Sequence, residues 1–377
     1  MKRVVVIGAG KIGKAIAYML AETGDYEVVV ADRSEAQLSG LEAAPHISAI
    51  TVDITNSADL LRALKGKFAV LSAAPFDLTG LVAIAAARAD VHYLDLTEDV
   101  ATTKKAEALA ENVDKAFIPQ CGLAPGFITI VANDLAKRFD KLDSVRMRVG
   151  ALPQYPSNAL NYNLTWSIDG LINEYIEPCE AIVEGKLITV PAMEEREEFA
   201  LDGIAYEAFN TSGGLGTFAK TLEGCVRTMN YRSIRYPGHQ AILKALLNDL
   251  NLKNRRNVLK DLFENALPAT MQDVVVIFVT VCGWREGRYI QESYANKVYS
   301  GVIAGRTMSA IQMTTAAGVA AVLDLLANGQ LSVKGFVRQE EVSLAQFLKN
   351  RFGRLYSNDA TKVAHWATIS LRPRNQE

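Results

Sequence analysis

The chain has 377 residues, which is more than one small core requires and predicts two domains of ordinary size. Hydrophobic residues make up 49% and charged residues 22% of the sequence, a composition that excludes a largely disordered protein. The formal net charge of −2 provides no basic field for a polyanion, so we expect no nucleic-acid partner.

The first part of the chain alternates short β-branched runs with amphipathic, alanine- and leucine-rich stretches. Strands are predicted at Val4–Ile7, Glu27–Ala31, Ile47–Val52, Phe68–Ser72, His92–Leu96 and Ala116–Pro119. Helices are predicted between them at Lys11–Glu22, Glu35–Ala43, Ser57–Leu64, Thr79–Arg88 and Val100–Asn112. This alternation indicates right-handed βαβ units and therefore an α/β fold with a doubly wound, Rossmann-type parallel sheet.

The pattern changes after Gly122, where strands dominate. Helices are predicted at Phe127–Phe139 and, with many small residues, at Ser309–Leu326. Strands are predicted at Ser144–Leu152, Glu180–Val183, Leu187–Val190, Val274–Cys282 and Arg288–Ser300. The last two strands alternate apolar and polar residues across a Trp-Arg-Glu-Gly turn, which indicates an antiparallel hairpin. The second domain is therefore predicted to be α+β with a mostly antiparallel sheet.

We place the helix at Ser309–Leu326 against the first domain, because its alanine and glycine face can pack closely. The dinucleotide-binding domain is then discontinuous and comprises residues 1–125 and about 305–377. The substrate and oligomerisation domain comprises about 126–304, and its exposed hairpins are expected to pair subunits in a homodimer or homotetramer. No apolar stretch is expected to reach the roughly 18 to 20 residues of a membrane span, so we expect no membrane partner and a cytoplasmic location.

A glycine-rich turn follows the first strand directly and opens the first helix. It reads Gly8-Ala-Gly10-Lys11-Ile12-Gly13. Gly8 allows the tight turn, Gly10 lets the backbone approach a pyrophosphate, and Gly13 lets helix and strand pack closely. The pyrophosphate would rest on the first N–H groups of the helix, next to Lys11 and Ile12. The alternatives are a glycine turn without a ligand and an FAD site, but no later segment is typical of a flavin domain.

The carboxyl ends of the next strands complete the predicted cofactor site. Asp32 would accept the adenosine ribose hydroxyls and repel a 2′-phosphate, which predicts NAD, whereas Arg33 can hold that phosphate and makes NADP the alternative. Asp53 is predicted at the adenine edge, or alternatively as an ordinary helix N-cap or turn residue. The small residues that follow the fourth strand would let the nicotinamide ribose lie close; they are Ala73, Ala74 and Pro75.

Acidic residues follow the fifth strand, beside the predicted nicotinamide position. Asp95 or Glu98 can bind an ammonium group or act as a base, and Asp95 is the preferred catalytic residue. In the alternative interpretation, Thr97, Glu98 and Asp99 only form the acidic first turn of the next helix. Cys121 is predicted to line the pocket as a small residue rather than to act in redox chemistry.

A second group of candidate residues lies in the later domain. Polar and aromatic runs carry the predicted substrate-binding residues Trp166, Thr211, Ser212, Arg235 and Tyr236. An arginine such as Arg235 can bind a carboxylate in bidentate fashion, and His239 is suited to proton transfer near neutral pH. The alternative is that these runs are surface loops. No spacing of histidine, cysteine or acidic residues suggests a metal site.

These segments together resemble the saccharopine dehydrogenase-like family, specifically its lysine 6-dehydrogenase branch. The resemblance covers nearly the whole chain and rests on the segments Gly8–Gly13, Tyr93–Asp95, Gly122–Gly126, Thr165–Gly170, Phe209–Gly214, Ile234–His239 and Gly335–Glu341. The chain differs from lysine 6-dehydrogenases at Cys121 and at Asn210, where their counterpart is usually histidine. Saccharopine-forming reductases are similar at Trp166, Arg235, Tyr236 and Gly238 but tend to carry an apolar aromatic residue in place of His239.

The resemblance implies oxidation of L-lysine at its ε-carbon. NAD takes the hydride, an imine forms, and water releases ammonia and a semialdehyde that cyclises. The implied roles are amine binding by Asp95, carboxylate binding by Arg235 and proton acceptance by His239. Two alternatives stay open: a saccharopine- or carboxynorspermidine-type reductase that joins an amine to an aldehyde with NADPH, and a non-catalytic NAD-sensing protein.

Overall fold

The computed structural model describes residues 1–357 and the strand at Thr368–Ile369. Its strands, numbered in chain order, are β1 (Lys2–Ile7), β2 (Tyr26–Asp32), β3 (Ile47–Thr51), β4 (Ala69–Ser72), β5 (His92–Asp95), β6 (Ala116–Ile118), β7 (Lys141–Pro153), β8 (Cys179–Val183), β9 (Lys186–Val190), β10 (Glu197–Leu201), β11 (Ile204–Asn210), β12 (Thr228–Arg235), β13 (Asp273–Arg285), β14 (Arg288–Tyr299), β15 (Gly301–Ile303), β16 (Arg306–Met308), β17 (Gly335–Phe336) and β18 (Thr368–Ile369). Its α-helices are α1 (Lys11–Glu22), α2 (Glu35–Ser39), α3 (Ser57–Leu64), α4 (Phe76–Ala89), α5 (Val100–Ala110), α6 (Phe127–Ala136), α7 (Ile168–Ile176), α8 (Phe218–Leu222), α9 (His239–Lys244), α10 (Arg256–Ala266), α11 (Ala310–Ala327) and α12 (Leu344–Lys349). Each strand and helix expected from the sequence is present.

The chain divides into two units. Unit 1 comprises Met1–Ile130, Val302–Met308 and the described residues from Gln312 onward. Unit 2 comprises Val131–Gly301 and Ser309–Ile311. The chain therefore passes between the units several times, and the carboxyl-terminal segments belong to the same unit as the amino-terminal sheet.

Unit 1 is built on a parallel, doubly wound sheet. Its strand order is β17-β6-β5-β4-β1-β2-β3, so the chain reverses its direction of travel between β1 and β4. Apolar side chains of the central strands are buried on both faces, and Val4, Val5 and Val6 have no exposed surface. Such a sheet has its ligand sites outside the carboxyl ends of the strands at the reversal point. The predicted α/β fold is confirmed.

Helices α2 and α4 of unit 1 differ in length from the prediction for local reasons. Helix α2 ends at Ser39 instead of Ala43, because Gly40 follows as its C-cap residue. Helix α4 begins at Phe76 instead of Thr79, directly after Pro75. Proline has no backbone N–H and a restricted φ, so it suits the position before a first helical turn.

Helix α11 corrects one expectation about apolar segments. It has 18 residues, and its length and composition match those of a membrane-spanning helix. However, 78% of it is buried inside the structure. The glycine and alanine surface permits this close packing: a Cβ on Gly318 would lie 2.6 Å from the carbonyl oxygen of Cys121.

Unit 2 is built on a mixed, mainly antiparallel sheet. Its main path is β10-β11-β12-β7-β13-β14, and β8 pairs with both β12 and β9. Strand β12 runs parallel to β7, whereas the other pairs are antiparallel. The predicted α+β character is confirmed, and β10, β11 and β12 are strands that the sequence patterns did not reveal.

Tight two-residue turns join several consecutive antiparallel strands of unit 2. The turn between β13 and β14 contains Glu286 and Gly287 with φ values of 52° and 72°, and that between β10 and β11 contains Asp202 and Gly203 with 52° and 77°. Two successive positive φ values match the right-handed twist of the flanking strands, and glycine adopts the second at no steric cost. The Asp-Gly pair is therefore the local signal from which the second hairpin could have been predicted.

Helices α7, α9 and α10 of unit 2 share an apolar core. Its buried members include Tyr162, Leu171, Tyr175, Phe209, Leu243, Leu259 and Phe263. Phe209 belongs to β11, so this core joins the helices to the sheet. Of the residues that the sequence singled out in unit 2, Arg235 and His239 lie on this side of β11 and β12.

Candidate functional site

The glycine-rich turn of unit 1 has the backbone geometry that a pyrophosphate site needs. Gly8 has a φ of 103°, and a Cβ on Gly13 would lie 1.8 Å from the carbonyl oxygen of Gly8. At Gly10, which is the N-cap residue of α1, a Cβ would meet no atom within 4 Å. The start of α1, with Lys11 and Ile12, is therefore open to an anion, and these residues fit a dinucleotide.

Asp32 holds the same turn together. Its carboxylate accepts hydrogen bonds from the backbone N–H of Ala9 at 2.7 Å and of Ser34 at 2.8 Å. A carboxylate offers about four acceptor sites, so capacity remains for ribose hydroxyls. Arg33 beside it is exposed.

Asp53 has the geometry of a turn residue. It is exposed, and its carboxylate accepts the backbone N–H of Thr55 at 2.9 Å and the Thr55 hydroxyl at 2.7 Å. These bonds and the nearby Arg33 lower the pKa of Asp53. The N-cap of α3 is Asn56 instead. This geometry favours the turn interpretation over contact with an adenine.

The structure brings the end of β4 against the glycine turn. A Cβ on Gly8 would lie 2.7 Å from the carbonyl oxygen of Ala73 and 3.5 Å from the nitrogen of Ala74. Pro75 then precedes α4. The three small residues thus stand at the point where the sheet order reverses, which is the position expected for the nicotinamide half of the cofactor.

Asp95 is buried and accepts three hydrogen bonds. It has no exposed surface, and it accepts the Tyr93 hydroxyl at 2.5 Å and the backbone N–H groups of Gln120 at 2.8 Å and Thr97 at 3.0 Å. Burial raises the pKa of Asp95 to about 6, against the lowering effect of these bonds. This geometry favours a role in fixing the ends of β5 and β6 over direct binding of an amine.

The neighbours of Asp95 have different surroundings. Asp99 is the N-cap of α5 and accepts the backbone N–H of Thr102 at 2.7 Å, as in the alternative interpretation of this acidic run. Glu98 is half-buried. Cys121 is buried beside the carbonyl oxygen of Ile118, and burial raises the pKa of its thiol well above the ordinary value.

Arg235 is the centre of a buried polar network in unit 2. Only 3% of the residue is exposed. Its Nε donates to the Tyr175 hydroxyl at 2.7 Å and its Nη1 to the carbonyl oxygen of Ile234 at 2.8 Å. Its Nη2 lies 3.7 Å from Glu174, and the guanidinium lies over the ring of Tyr162 at 5.2 Å. The alternative of a surface loop is wrong for this residue.

His239 extends this network but is shielded from solvent. It is 1% exposed, with Nδ1 at 2.8 Å from the carbonyl oxygen of Leu160 and Nε2 at 3.0 Å from the Tyr175 hydroxyl. A carbonyl only accepts, so Nδ1 carries the proton and Nε2 accepts from Tyr175. Burial, reinforced by Arg235, lowers the pKa of His239 to about 3. The ring is therefore neutral, and its geometry favours positioning of Tyr175 over exchange of a proton with a substrate.

The remaining predicted residues surround this network at different depths. Thr211 is buried, and its hydroxyl is 2.8 Å from that of Ser233, while Ser212 donates its backbone N–H to the carbonyl oxygen of Glu174 at 3.1 Å. Trp166 is half-buried against Gly170, where a Cβ would lie 2.4 Å from its ring. By contrast, Tyr236 packs on the opposite side of the sheet, with its hydroxyl donating to the carbonyl oxygen of Pro153 at 2.9 Å.

The sequence did not single out several members of the network. Glu174 and Tyr175 lie on α7, and Tyr162 lies in the segment before it. The Tyr162 hydroxyl and the nearby Thr165 hydroxyl are buried without a hydrogen bond of ordinary geometry to the described residues. The available signal was that Glu174 shares a helical face with apolar residues of α7 such as Leu171, since buried acids are rare unless paired. In residues 1–357, no three histidine, cysteine or acidic side chains cluster as metal ligands would.

Two family models match the chain in succession. The model described as "Saccharopine dehydrogenase NADP binding domain" matches residues 4–117. The model described as "Saccharopine dehydrogenase C-terminal domain" matches residues 122–357. The first match confirms NAD(P) as the class of cofactor that the glycine-rich turn predicts.

Curated relatives are about a quarter identical to this chain within the regions that match. Saccharopine dehydrogenase (NADP(+), L-glutamate-forming) of Saccharomyces cerevisiae is 24% identical over 268 residues, which cover 68% of this chain and 60% of that protein. Alpha-aminoadipic semialdehyde synthase, mitochondrial, of Rattus norvegicus is 23% identical over 196 residues, which cover 50% of this chain and 21% of that protein. The matched regions are thus only part of both relatives.

Solved structures share the fold over most of the chain. Apo saccharopine dehydrogenase (L-Glu forming) from Saccharomyces cerevisiae has a TM-score of 0.79 at 19% identity, over 94% of this chain and 98% of that chain. Homospermidine synthase from Legionella pneumophila in complex with NAD has a TM-score of 0.64 at 14% identity, over 94% and 89%. The family model of the second domain alone matches more than half of the chain. The protein therefore belongs to the saccharopine dehydrogenase family of NAD(P)-dependent oxidoreductases.

Proposed function

We propose that the protein oxidises the side-chain amine of an amino acid, with L-lysine as the substrate and its ε-carbon as the reacting centre. The cofactor supplies the hydride acceptor. The substrate loses a hydride from the ε-carbon and one proton from the ε-ammonium group, which leaves an iminium ion. Water then adds to this carbon, ammonia leaves, and the resulting semialdehyde cyclises onto the α-amine.

The observation that carries this proposal is the buried guanidinium of Arg235. A cation removed from water is costly unless anions or hydrogen-bond acceptors surround it. Glu174 stands 3.7 Å away, outside hydrogen-bond distance. The planar fork of an arginine matches a carboxylate, so we assign the α-carboxylate of the amino acid to Arg235. The buried hydroxyls of Tyr162 and Thr165 supply further groups that can bond it.

The acidic run of unit 1 contains two candidate residues with different surroundings. Asp95 is buried and accepts three hydrogen bonds, whereas Glu98, three residues beyond the end of β5, is half-buried. We therefore assign a positioning role to Asp95 and keep Glu98 as the candidate functional acid of this unit. His239 likewise becomes a positioning residue, because both of its ring nitrogens are engaged within unit 2.

NAD is the proposed cofactor, with NADP as the alternative. A negative charge at Asp32 repels the 2′-phosphate that distinguishes NADP. This carboxylate is fixed by the N–H groups of Ala9 and Ser34, so it cannot turn away from the ribose position without losing both bonds. Arg33 is exposed beside it and is the residue that would favour NADP.

A reductase that joins an amine to an aldehyde is the second candidate. It is supported by the 24% identity to the saccharopine dehydrogenase of Saccharomyces cerevisiae over 68% of this chain. Such an enzyme would use NADPH, and it would bind a second carboxylate-bearing substrate. A non-catalytic NAD sensor is the third candidate, and it would bind the cofactor without turnover.

We also propose a homodimer or homotetramer. Strand β14 ends the main path of the unit 2 sheet, and its residues Tyr289, Gln291 and Ser293 are exposed. An open strand edge is a template for pairing with another chain. Light scattering of the purified protein measures the assembly, and a monomer at micromolar concentration contradicts this proposal.

A screen by NADH absorbance tests the function. L-lysine, L-ornithine, polyamines and saccharopine are each offered with NAD and with NADP, and L-lysine with NAD is expected to give the highest kcat/KM. Oxidation of saccharopine in preference to every primary amine would establish the second candidate. Cofactor binding without turnover of any amine would contradict an enzymatic function.

Arg235→Gln tests the proposed carboxylate site. Loss of a charge-assisted, bidentate contact of about 1.5–3 kcal/mol raises KM for L-lysine by about 10- to 150-fold. The KM for a diamine that lacks the carboxylate should change much less. Arg256→Gln is the matched control, since Arg256 lies on the exposed side of the same unit and pairs with Glu177. An unchanged KM for L-lysine in Arg235→Gln contradicts the carboxylate role.

A further inference from the structure

The contacts of Arg235 leave its ion pair with Glu174 incomplete. The Nη2–Oε2 distance of 3.7 Å is longer than a hydrogen bond, although both side chains are buried. The guanidinium uses Nε on the Tyr175 hydroxyl and Nη1 on the carbonyl oxygen of Ile234. Glu174 is therefore close enough to compensate the charge of Arg235 but is not locked to it.

Glu174 is also the group whose charge can change in this site. The titratable and charged side chains that face it are Arg235 of β12, Tyr162 before α7, Tyr175 of α7 and Cys179 of β8. Burial raises the pKa of Cys179 to about 12 and raises the pKa of both tyrosines, so these three groups stay neutral near pH 7. Burial raises the pKa of Glu174 to about 7, against the lowering effect of Arg235. Arg235 remains cationic.

We propose that Glu174 determines substrate specificity by competing with the substrate carboxylate for Arg235, and that it takes up one proton when that carboxylate binds. This inference rests on the proposed function, in which Arg235 binds the α-carboxylate. Two carboxylates beside one buried cation leave an excess negative charge, and that charge favours the protonated form of one of them. A substrate without a carboxylate leaves the ion pair unchanged and binds without this proton.

Calorimetry of the full chain with NADH bound tests the proposal, because lysine then binds without turnover. Titrations in two buffers of different ionisation enthalpy measure the protons taken up for each L-lysine. Near pH 8 the wild-type protein is expected to take up close to one proton more than Glu174→Gln. Its Kd for L-lysine should rise up to tenfold per pH unit above pH 7, whereas that of Glu174→Gln stays flat. The diamine that results from decarboxylation of L-lysine should bind with the same proton uptake and the same pH dependence of Kd in both proteins.

Glu177→Gln is the matched control on the same helix end. Glu177 is exposed and pairs with Arg256, so this variant should keep the wild-type proton count. A wild-type Kd for L-lysine that does not change between pH 6 and pH 8.5 overturns the inference, even if Glu174→Gln fails to fold. Equal proton counts in the wild type and in a folded Glu174→Gln variant overturn it as well. In both cases the proposed function stands as long as Arg235→Gln weakens L-lysine binding. If Arg235→Gln instead binds L-lysine as tightly as the wild type does, both the proposed function and this inference are contradicted.

Discussion

Gly10 and Gly13 belong to one turn but have different surroundings. A Cβ on Gly13 would overlap the carbonyl oxygen of Gly8 at 1.8 Å, whereas a Cβ on Gly10 meets nothing within 4 Å. Gly10 has a φ of −72°, which alanine adopts freely. Of these two glycines, only Gly13 is therefore required by the fold itself without a ligand.

The two alanine variants separate folding from cofactor binding. Gly13→Ala should lower the free energy of unfolding by about 1–3 kcal/mol or more, because the backbone must move. Gly10→Ala should leave it within about 0.5 kcal/mol but raise the Kd for NAD at least tenfold, since the new methyl group occupies the approach of the pyrophosphate. Urea unfolding without cofactor and titration by NADH fluorescence measure these changes. Wild-type NAD affinity in Gly10→Ala would show that the pyrophosphate lies elsewhere.

Asp32 is predicted to select the cofactor through its charge. Asp32→Asn keeps an oxygen acceptor for the N–H of Ala9 or Ser34 but removes the repulsion of a 2′-phosphate. The ratio of kcat/KM for NADP to that for NAD should rise about tenfold or more, which corresponds to about 1.4 kcal/mol. Glu35→Gln, which removes an exposed acid in the first turn of α2, is the control. An equal rise in the control would assign the effect to general charge instead of to Asp32.

A buried carboxylate on helix α11 holds several secondary-structure elements of unit 1 together. Asp324 accepts the Tyr26 hydroxyl of β2 at 2.7 Å, the Asn350 amide at 2.8 Å and the Arg351 guanidinium at 2.7 Å. One side chain thus ties the long helix both to the parallel sheet and to the segment after α12. Burial, followed by the charge of Asp324, raises the pKa of Tyr26.

Asp324→Ala should therefore destabilise unit 1 strongly. Removing one partner of a buried ion pair typically costs about 3–5 kcal/mol, and here two further donors lose their acceptor. Asp25→Ala is the control, because Asp25 contacts the same Arg351 at 2.6 Å from an exposed position and should cost at most about 1 kcal/mol. Denaturant unfolding followed by circular dichroism measures both. Similar losses in the two variants would contradict the role assigned to Asp324.

At the scale of the whole molecule, buried histidines make the stability depend on pH. Burial lowers the pKa of His92 to about 4, and its Nδ1 accepts the backbone N–H of Ala116 at 3.0 Å. The pKa in the unfolded chain is about 6.5. The unfolded state therefore binds more protons between about pH 4 and pH 6.5, so the contribution of His92 is complete above pH 6.5 and is lost as the pH falls to about 4.

His92→Asn should flatten this acid dependence. The variant keeps an acceptor for Ala116 but cannot be protonated, so the loss of unfolding free energy between pH 6.5 and pH 4 should shrink by up to about 3 kcal/mol. Acids such as Asp95, whose pKa burial raises to about 6, contribute in the opposite direction. Subtracting the wild-type curve of stability against pH from that of the variant removes this contribution. His46→Asn, at an exposed position, should keep the wild-type slope. An unchanged slope in His92→Asn would mean that His92 is not buried as a neutral ring.

The sequence by itself determined those features whose signals are local. The segment from β1 to β2 was predictable because strand, glycine turn, helix and terminal Asp32 lie within a short stretch of chain and follow one known geometry. The β13–β14 hairpin was predictable for the same reason, since its alternation and its Glu-Gly turn are adjacent. Strands β10 to β12 were missed although Asp202-Gly203 marked a turn, because polar residues such as Glu207 and Ser233 occupy buried positions and interrupt the apolar pattern.

Only the tertiary structure decided which polar residues can meet a ligand. Tyr175, Arg235 and His239 come from α7, β12 and α9, and the hydrogen bonds that join Tyr175 to the other two bridge about sixty positions of the chain. Residue type suggested proton transfer for Asp95 and His239, but their burial and occupied hydrogen bonds favour positioning roles. Burial and pairing depend on contacts between distant segments, and these contacts arise when the apolar faces of helices and sheet pack together.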